Sequence, residues 1–138
     1  MAKITYIENR LLDSLQVVEL YQSVGWNNYI TDTTRLIEGI NNSNYVIGAY
    51  DGESLVGLLR VISDENTIAY VQDILINPNY QRKGIGKKLL ALFLIKYTHV
   101  RQIVLTCDKE TTTEHFYNSV GFKEVSQLGL ACYYFVKN

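Results

Sequence analysis

The stretch from Tyr70 to Tyr97 constrains this chain more than any other. Tyr70-Val71-Gln72-Asp73-Ile74-Leu75-Ile76 is apolar and rich in β-branched residues, which predicts a strand. Ile85, Leu89, Leu92 and Phe93 recur at helical spacing, which predicts a helix from about Gly84 to Tyr97. Between them lies Gln81-Arg82-Lys83-Gly84-Ile85-Gly86-Lys87-Lys88, with two glycines and four cations. A strand, a short glycine loop and a helix start make an anion site. The first helical turn leaves backbone N–H groups without partners, and the helix dipole makes that end partly positive. Gly84 and Gly86 carry no Cβ, so phosphates can approach the main chain closely.

On the loop alone, a strand-to-helix turn with a solvated basic face stands as an equal reading. The third glycine of the dinucleotide fingerprint and the Gly-Lys-Ser/Thr ending of a nucleotide-binding loop are both missing.

The rest of the chain supplies the context. Lys3–Glu8 alternates as a strand. Leu12–Val24 is an amphipathic helix carrying Leu12, Leu15, Val18 and Leu20, with Leu11 and Val17 beside them, started near Asp13 or Ser14 and stopped by Gly25. Trp26-Asn27-Asn28-Tyr29 is loop-like, Thr31–Ile40 is a shorter helix, and Asn41–Asn44 is a turn. Tyr45–Tyr50 and Ser54–Ser63 are strands joined by Asp51-Gly52, the strongest hairpin signal present. Asp64-Glu65-Asn66 turns the chain into the strand that ends near Ile76, completing an antiparallel meander. After the helix to Tyr97 come a strand over Gln102–Thr106, a helix from about Thr111 to Val120, and a hairpin of Phe122–Gln127 with Ala131–Val136 around Leu128-Gly129. The order is β-α-α-β-β-β-α-β-α-β-β, an α/β (α+β) chain without repeats or linkers.

At 138 residues the expectation is one domain, 1–138. Hydrophobic residues make up 47% and charged residues 20%, as in ordinary globular chains. No apolar run approaches membrane-spanning length and no signal-peptide pattern opens the chain, so a cytoplasmic protein without a membrane partner is expected. A net charge of −1 gives no global field to attract nucleic acid. Any polyanion would be held by the local cluster at Gln81–Lys88. Cys107 and Cys132 sit in apolar, strand-like surroundings and read as reduced core residues; nothing suggests a metal.

Gln81-x-x-Gly84-x-Gly86 resembles the acyl-CoA pyrophosphate loop of the GCN5-related N-acetyltransferases (GNAT), and Asn77-Pro78-x-Tyr80 resembles that family's strand-to-loop connection. Phe116-Tyr117 followed by Gly121-Phe122 is a second family mark in the expected order. The likeness is strongest from about Ala69 to Phe122. It implies a mixed, mostly antiparallel sheet of seven strands with about four helices, splayed after the fourth strand. It also implies direct transfer of an acetyl group from acetyl-CoA, the cosubstrate, to a primary amine, with a small molecule as the favoured acceptor. A protein amino group is the less favoured acceptor. The competing class is a non-catalytic acyl-CoA-binding or regulatory module, which has no need of a hydrogen-bond donor at the sulfur. A homodimer is expected by analogy with relatives.

The resemblance assigns cofactor contact to Ile74, Leu75, Ile76, Gln81, Arg82, Lys83, Gly84, Ile85, Gly86 and Lys87. The loop backbone takes the diphosphate, and the strand backbone takes pantetheine and, through an amide of Leu75 or Ile76 aimed by a bulge, the thioester carbonyl. Tyr117 matches the tyrosine that faces the CoA sulfur. With a phenol near pKa 10 and a thiol near 8.5, full proton transfer is uphill by roughly 2 kcal/mol, so a hydrogen bond to the leaving sulfur is the expected role. Asp73 is the carboxylate placed to act as general base, and it equally suits capping a turn, pairing with a cation or facing solvent. His115 reads as solvated and His99 as a helix-end residue. The asparagine common before the family tyrosine is replaced by Lys109-Glu110-Thr111-Thr112, leaving Thr111 or Thr112 to substitute. Trp26 and Tyr29, with Tyr21, suit an aromatic wall for an aromatic or cationic acceptor, or a core plug between the first two helices.

Overall fold

The computed structural model describes residues 3–137. The chain divides into two compact units, Met1–Thr106 and Cys107–Asn138.

The first unit is an open five-stranded sheet in the order β1-β2-β3-β4-β5, formed by β1 (Ile4–Glu8), β2 (Tyr45–Asp51), β3 (Ser54–Ser63), β4 (Ile68–Ile76) and β5 (Gln102–Leu105). The first three pairings are antiparallel, and β4–β5 is parallel. This is the mixed α/β sheet expected, with the meander in place. Helices α1 (Ser14–Ser23), α2 (Asn27–Ile30) and α3 (Thr33–Asn41) separate β1 from β2, and α4 (Ile85–Tyr97) separates β4 from β5. Asp13 caps α1 by accepting from the Gln16 N–H at 3.0 Å, and Asp32 caps α3 through the Arg35 N–H at 3.1 Å. Gly25, at φ +79°, turns the chain after α1.

Two expectations change here. Trp26–Tyr29 is not a plain loop: Trp26 caps the one-turn helix α2. The buried face of α1 is Val17, Leu20 and Tyr21, whereas Leu11 and Leu15 are exposed. Seven apolar residues between Leu11 and Tyr21 offer two overlapping helical faces, and packing on the sheet selects the one carrying Tyr21.

The sheet is covered on both faces. On one, Leu20, Tyr21, Leu36 and Ile40 pack with Val46, Leu55, Leu58 and Leu75. On the other, α4 buries Ile85, Leu89, Leu90, Phe93 and Tyr97. Gly57 marks how close α4 lies: a Cβ there would sit 3.4 Å from Ile85 Cγ2 and 3.0 Å from Ile76 Cδ1.

The second unit holds α5 (Thr111–Ser119) and a single 3-10 turn over Val125–Leu128. The expected hairpin of Phe122–Gln127 with Ala131–Val136 is therefore corrected: the described sheet has five strands rather than seven, and the described helices number five rather than four. The Glu124 carboxylate accepts the Ser126 N–H at 3.2 Å and winds the chain into a turn, which Gly129 ends at φ +73°. Without a partner strand in this unit, residues 131–137 take no regular structure. For the same reason Cys132 is exposed. Cys107, just past the end of β5, is exposed too, so neither thiol is the core residue expected.

Candidate functional site

The lead-in Asn77-Pro78-Asn79-Tyr80 folds as one 3-10 turn, with Pro78 at its start and the Asn77 side chain accepting from the Asn79 N–H at 2.9 Å. The Tyr80 hydroxyl donates to Asp51 at 2.5 Å, fixing the turn to the β2–β3 hairpin. The loop then passes through two left-handed residues, Arg82 at φ +62° and Gly84 at φ +84°. Gly84 caps α4 with no side chain in the way, and a Cβ there would meet nothing within 4 Å. That conformation, rather than crowding, is what glycine serves here.

The consequence is a run of bare donors. Among the described residues, the backbone N–H groups of Arg82, Lys83, Gly84, Ile85, Gly86 and Lys87 donate to no protein acceptor; the first to do so is that of Lys88, to the Gly84 carbonyl at 3.0 Å. The side chains of Arg82, Lys83, Lys87 and Lys88 form no ion pair among the described residues. Lys83 Nζ sits 5.5 Å from the Tyr80 ring centroid. Six amides, four free cations and the positive end of a 13-residue helix converge on one place.

Beside the loop, β4 offers an open edge. It pairs with β3 along its length, but with β5 only from Ile68 to Val71, so among the described residues Gln72–Ile76 pairs with no strand on its second side. Gln81, expected at the ligand, donates its side-chain N–H to the Ile76 carbonyl at 3.0 Å and ties loop to strand end. Leu75 is buried, while Ile74 and Ile76 are half-buried. The strand carries a bulge, as expected, and it lies opposite Arg60: Arg60 pairs with Asp73 and Val61 with Val71, leaving Gln72 as the extra residue.

Asp73 is 2% exposed. Its Oδ2 accepts from Arg60 Nε at 2.5 Å and from the Tyr21 hydroxyl at 2.8 Å, while Oδ1 is buried without a partner among the described residues. Arg60 also donates to the Ser43 hydroxyl at 3.2 Å. Burial by itself pulls the guanidinium's pKa down; the Asp73 charge and the Tyr21 phenol outweigh it, and the net direction is up. Burial, then the Asp73 charge, holds the Tyr21 phenol far above its ordinary range. Sequence reading missed Arg60 and the Tyr21 hydroxyl. The available signal was one cation inside Leu58-Leu59-Arg60-Val61-Ile62 and one anion inside the next strand.

Tyr21, Trp26 and Tyr29 do assemble, with ring centroids 5.3 to 6.0 Å apart. Trp26 and Tyr29 pack on the core as partly buried residues, and Gln72 Nε2 lies 3.4 Å from the Tyr29 hydroxyl. Burial, then Asp73, raises the Tyr29 phenol's pKa. A separate cavity of about 330 Å³ is lined by Gln16, Glu19, Leu20, Ser54, Leu55, Val56, Asn77 and Tyr80, and the aromatic trio does not line it.

In the second unit, the Tyr117 ring lies between those of Phe116 and Phe122, at 5.1 and 5.9 Å. Its phenol is pushed up to about 12, by burial first and then by Cys107. The Phe122 N–H donates to the Tyr117 carbonyl at 2.9 Å, so Gly121-Phe122 closes the helix end behind the tyrosine. Thr111 and Thr112 are exposed in the first turn of α5, as is His115 further along it. His99 follows α4, its Nε2 2.9 Å from the Glu65 carbonyl.

Comparison with known proteins places these features in one family. The sequence model of the acetyltransferase (GNAT) domain matches residues 17–130. An uncharacterised N-acetyltransferase of Prochlorococcus marinus is 31% identical over 82% of this chain; the chain spans 64% of that relative's length. The solved structure of a GNAT family acetyltransferase from Streptococcus pneumoniae is 30% identical, covers 98% of both chains and superposes with a TM-score of 0.88. An aminoglycoside acetyltransferase from an uncultured soil sample, solved in complex with trehalose, is 26% identical over 97% of both chains, with a TM-score of 0.73. The chain belongs to the GNAT acetyltransferase family.

Proposed function

We propose that this chain is an acetyl-CoA-dependent N-acetyltransferase that transfers an acetyl group directly, within a ternary complex, to a primary amine of a small molecule. The observation that carries this reading is the run of six free amides at Arg82–Lys87 beside the open β4 edge at Gln72–Ile76. A diphosphate needs the first, and an extended amide-bearing arm needs the second. Gln81, Arg82, Lys83, Gly84, Ile85, Gly86 and Lys87 hold the diphosphate end; Ile74, Leu75 and Ile76 hold the pantetheine through their backbone.

In this reading the amine nitrogen forms a bond to the thioester carbon as the carbon–sulfur bond breaks. The amine's proton passes toward Asp73, whose Oδ1 is the oxygen left free to accept, and the departing sulfur takes a hydrogen bond from Tyr117. Trp26 and Tyr29 form the acceptor wall. A cationic acceptor suits aromatic rings set near a buried carboxylate. The small-molecule class is supported by the name of the soil-derived relative.

Isothermal titration with acetyl-CoA, run beside free CoA and ATP, tests the donor site. Micromolar acetyl-CoA binding, weakened by Gly84→Glu or by the pair Arg82→Ala and Lys83→Ala, is expected. No heat would end the enzymatic reading. Initial-rate plots over a panel of amines then test the mechanism: intersecting lines fit a ternary complex, and parallel lines rule it out.

A further inference from the structure

We propose that the buried Arg60–Asp73 pair sets the register of β4, so that Arg60 and Tyr21 act as positioning residues for the open edge at Gln72–Ile76. Cross-strand partners share a face of the sheet. Asp73 shares its face with Arg60, and Val71 shares the opposite face with Val61. Two residues apart in a regular strand would lie on the same face; the extra Gln72 is what separates them.

The competing register is easily written. Continuing the pairs Ser63 with Ala69, Ile62 with Tyr70 and Val61 with Val71 without an interruption would set Arg60 against Gln72 and Leu59 against Asp73. Leu59 lies on the α4 side, with Gly57 and Ile85. The described residues of α4 that are buried there are apolar apart from the Tyr97 hydroxyl, which donates to Glu65. Asp73 would enter that layer without a cation, Arg60 would keep its place beside Ser43 without an anion, and Leu75 would leave its cluster with Leu20, Leu55 and Leu58. An unpaired buried charge is among the most costly features a fold can carry, and a single-residue slip exposes two at once.

The bulge sits where pairing with β5 ends. The last β4–β5 pair is Val71 with Leu105, and Gln72 is the next residue. A bulge bends and twists the strand that carries it, which draws the following residues away from β5. Arg60 therefore governs the edge without touching any ligand there. The effect on acetyl-CoA rests on the function proposed above; the effect on register does not.

The deciding variant combines Arg60→Met with Asp73→Leu, which removes both charges together and retains apolar volume. Backbone NMR should show a folded protein in which position 73 no longer stays opposite position 60, with slowed amide exchange along 72–76 as that edge pairs. Acetyl-CoA affinity should fall about tenfold, while inorganic pyrophosphate at the loop should bind within about twofold of the parent. Retention of the 60–73 and 61–71 pairs in the folded double variant overturns the inference, whatever its affinity. If that variant does not fold, deletion of Gln72 decides. Asp73 would then face Arg60 with no extra residue, β4–β5 pairing should extend past Val71, and an edge that stays open overturns the inference. A parent protein that ignores acetyl-CoA, with variants that show these register changes, would end the proposed function and leave the positioning role intact.

Discussion

Arg60 and Asp73 concentrate the electrostatic risk of the first unit in one contact, with side chains 11% and 1% exposed. Removing one partner alone, as in Arg60→Met, leaves a buried uncompensated charge and should lower stability by about 3–5 kcal/mol. Urea denaturation reads this directly; a loss below ~1 kcal/mol would show that water reaches the pair. Tyr117 makes a different demand. Its phenol, raised to about 12, is a poor source of protons for a thiolate and a durable hydrogen-bond donor. Tyr117→Phe should therefore lower kcat about tenfold or more and leave acetyl-CoA affinity unchanged; an unchanged kcat removes Tyr117 from the mechanism. The sign of its pH dependence follows from the upward shift. Its contribution to stability is full below the unfolded value of about 10 and is lost as pH rises through about 12. A kcat profile should accordingly show no alkaline limb from this phenol between neutral pH and about 10.

The loop from Gln81 and the start of α4 work as one element. Its donors are free because the chain reaches the helix through the left-handed Gly84, which turns the first amides outward without a competing side-chain cap. Gly84→Ala should cost about 1–2 kcal/mol through backbone strain alone, visible in thermal denaturation, and should weaken pyrophosphate binding in parallel. The four exposed cations predict acetyl-CoA affinity that falls with added salt, less steeply after Arg82→Ala with Lys83→Ala. Titrations at two ionic strengths separate this charge term from the backbone term; an identical salt slope in that variant would mean the side chains do not reach the ligand.

Across the whole molecule, the second unit leaves Tyr133, Tyr134, Phe135 and Val136 between 76% and 94% exposed. Among the described residues this run of β-forming apolar residues has no partner strand, and we propose that it is an association surface. The expected state is a homodimer at micromolar concentration, made monomeric by Tyr133→Glu with Phe135→Glu. Light scattering coupled to gel filtration checks it, and a monomeric parent chain ends the proposal.

The five strands through β5, the β2–β3 hairpin and the glycine loop were legible in the sequence because each rests on local chemistry. Periodicity, Asp51-Gly52 and the Gln81–Lys88 composition act over a few residues and need no distant partner. The terminal hairpin was misread because strand propensity in Ala131–Val136 carries no information about whether a partner strand exists. The apolar face of α1 was misread because two faces of similar hydrophobicity compete in one segment. The register of β4 is the sharpest case. Counting back from the Asp64–Asn66 turn, with Ser63 opposite Ala69, sets Arg60 against Gln72 and leaves Asp73 without its cation. Sequence by itself determined that a lone cation and a lone anion occupy neighbouring apolar strands. Only the tertiary structure decided that they meet, since burial between two helix layers makes their separation costlier than one unpaired residue in the ladder.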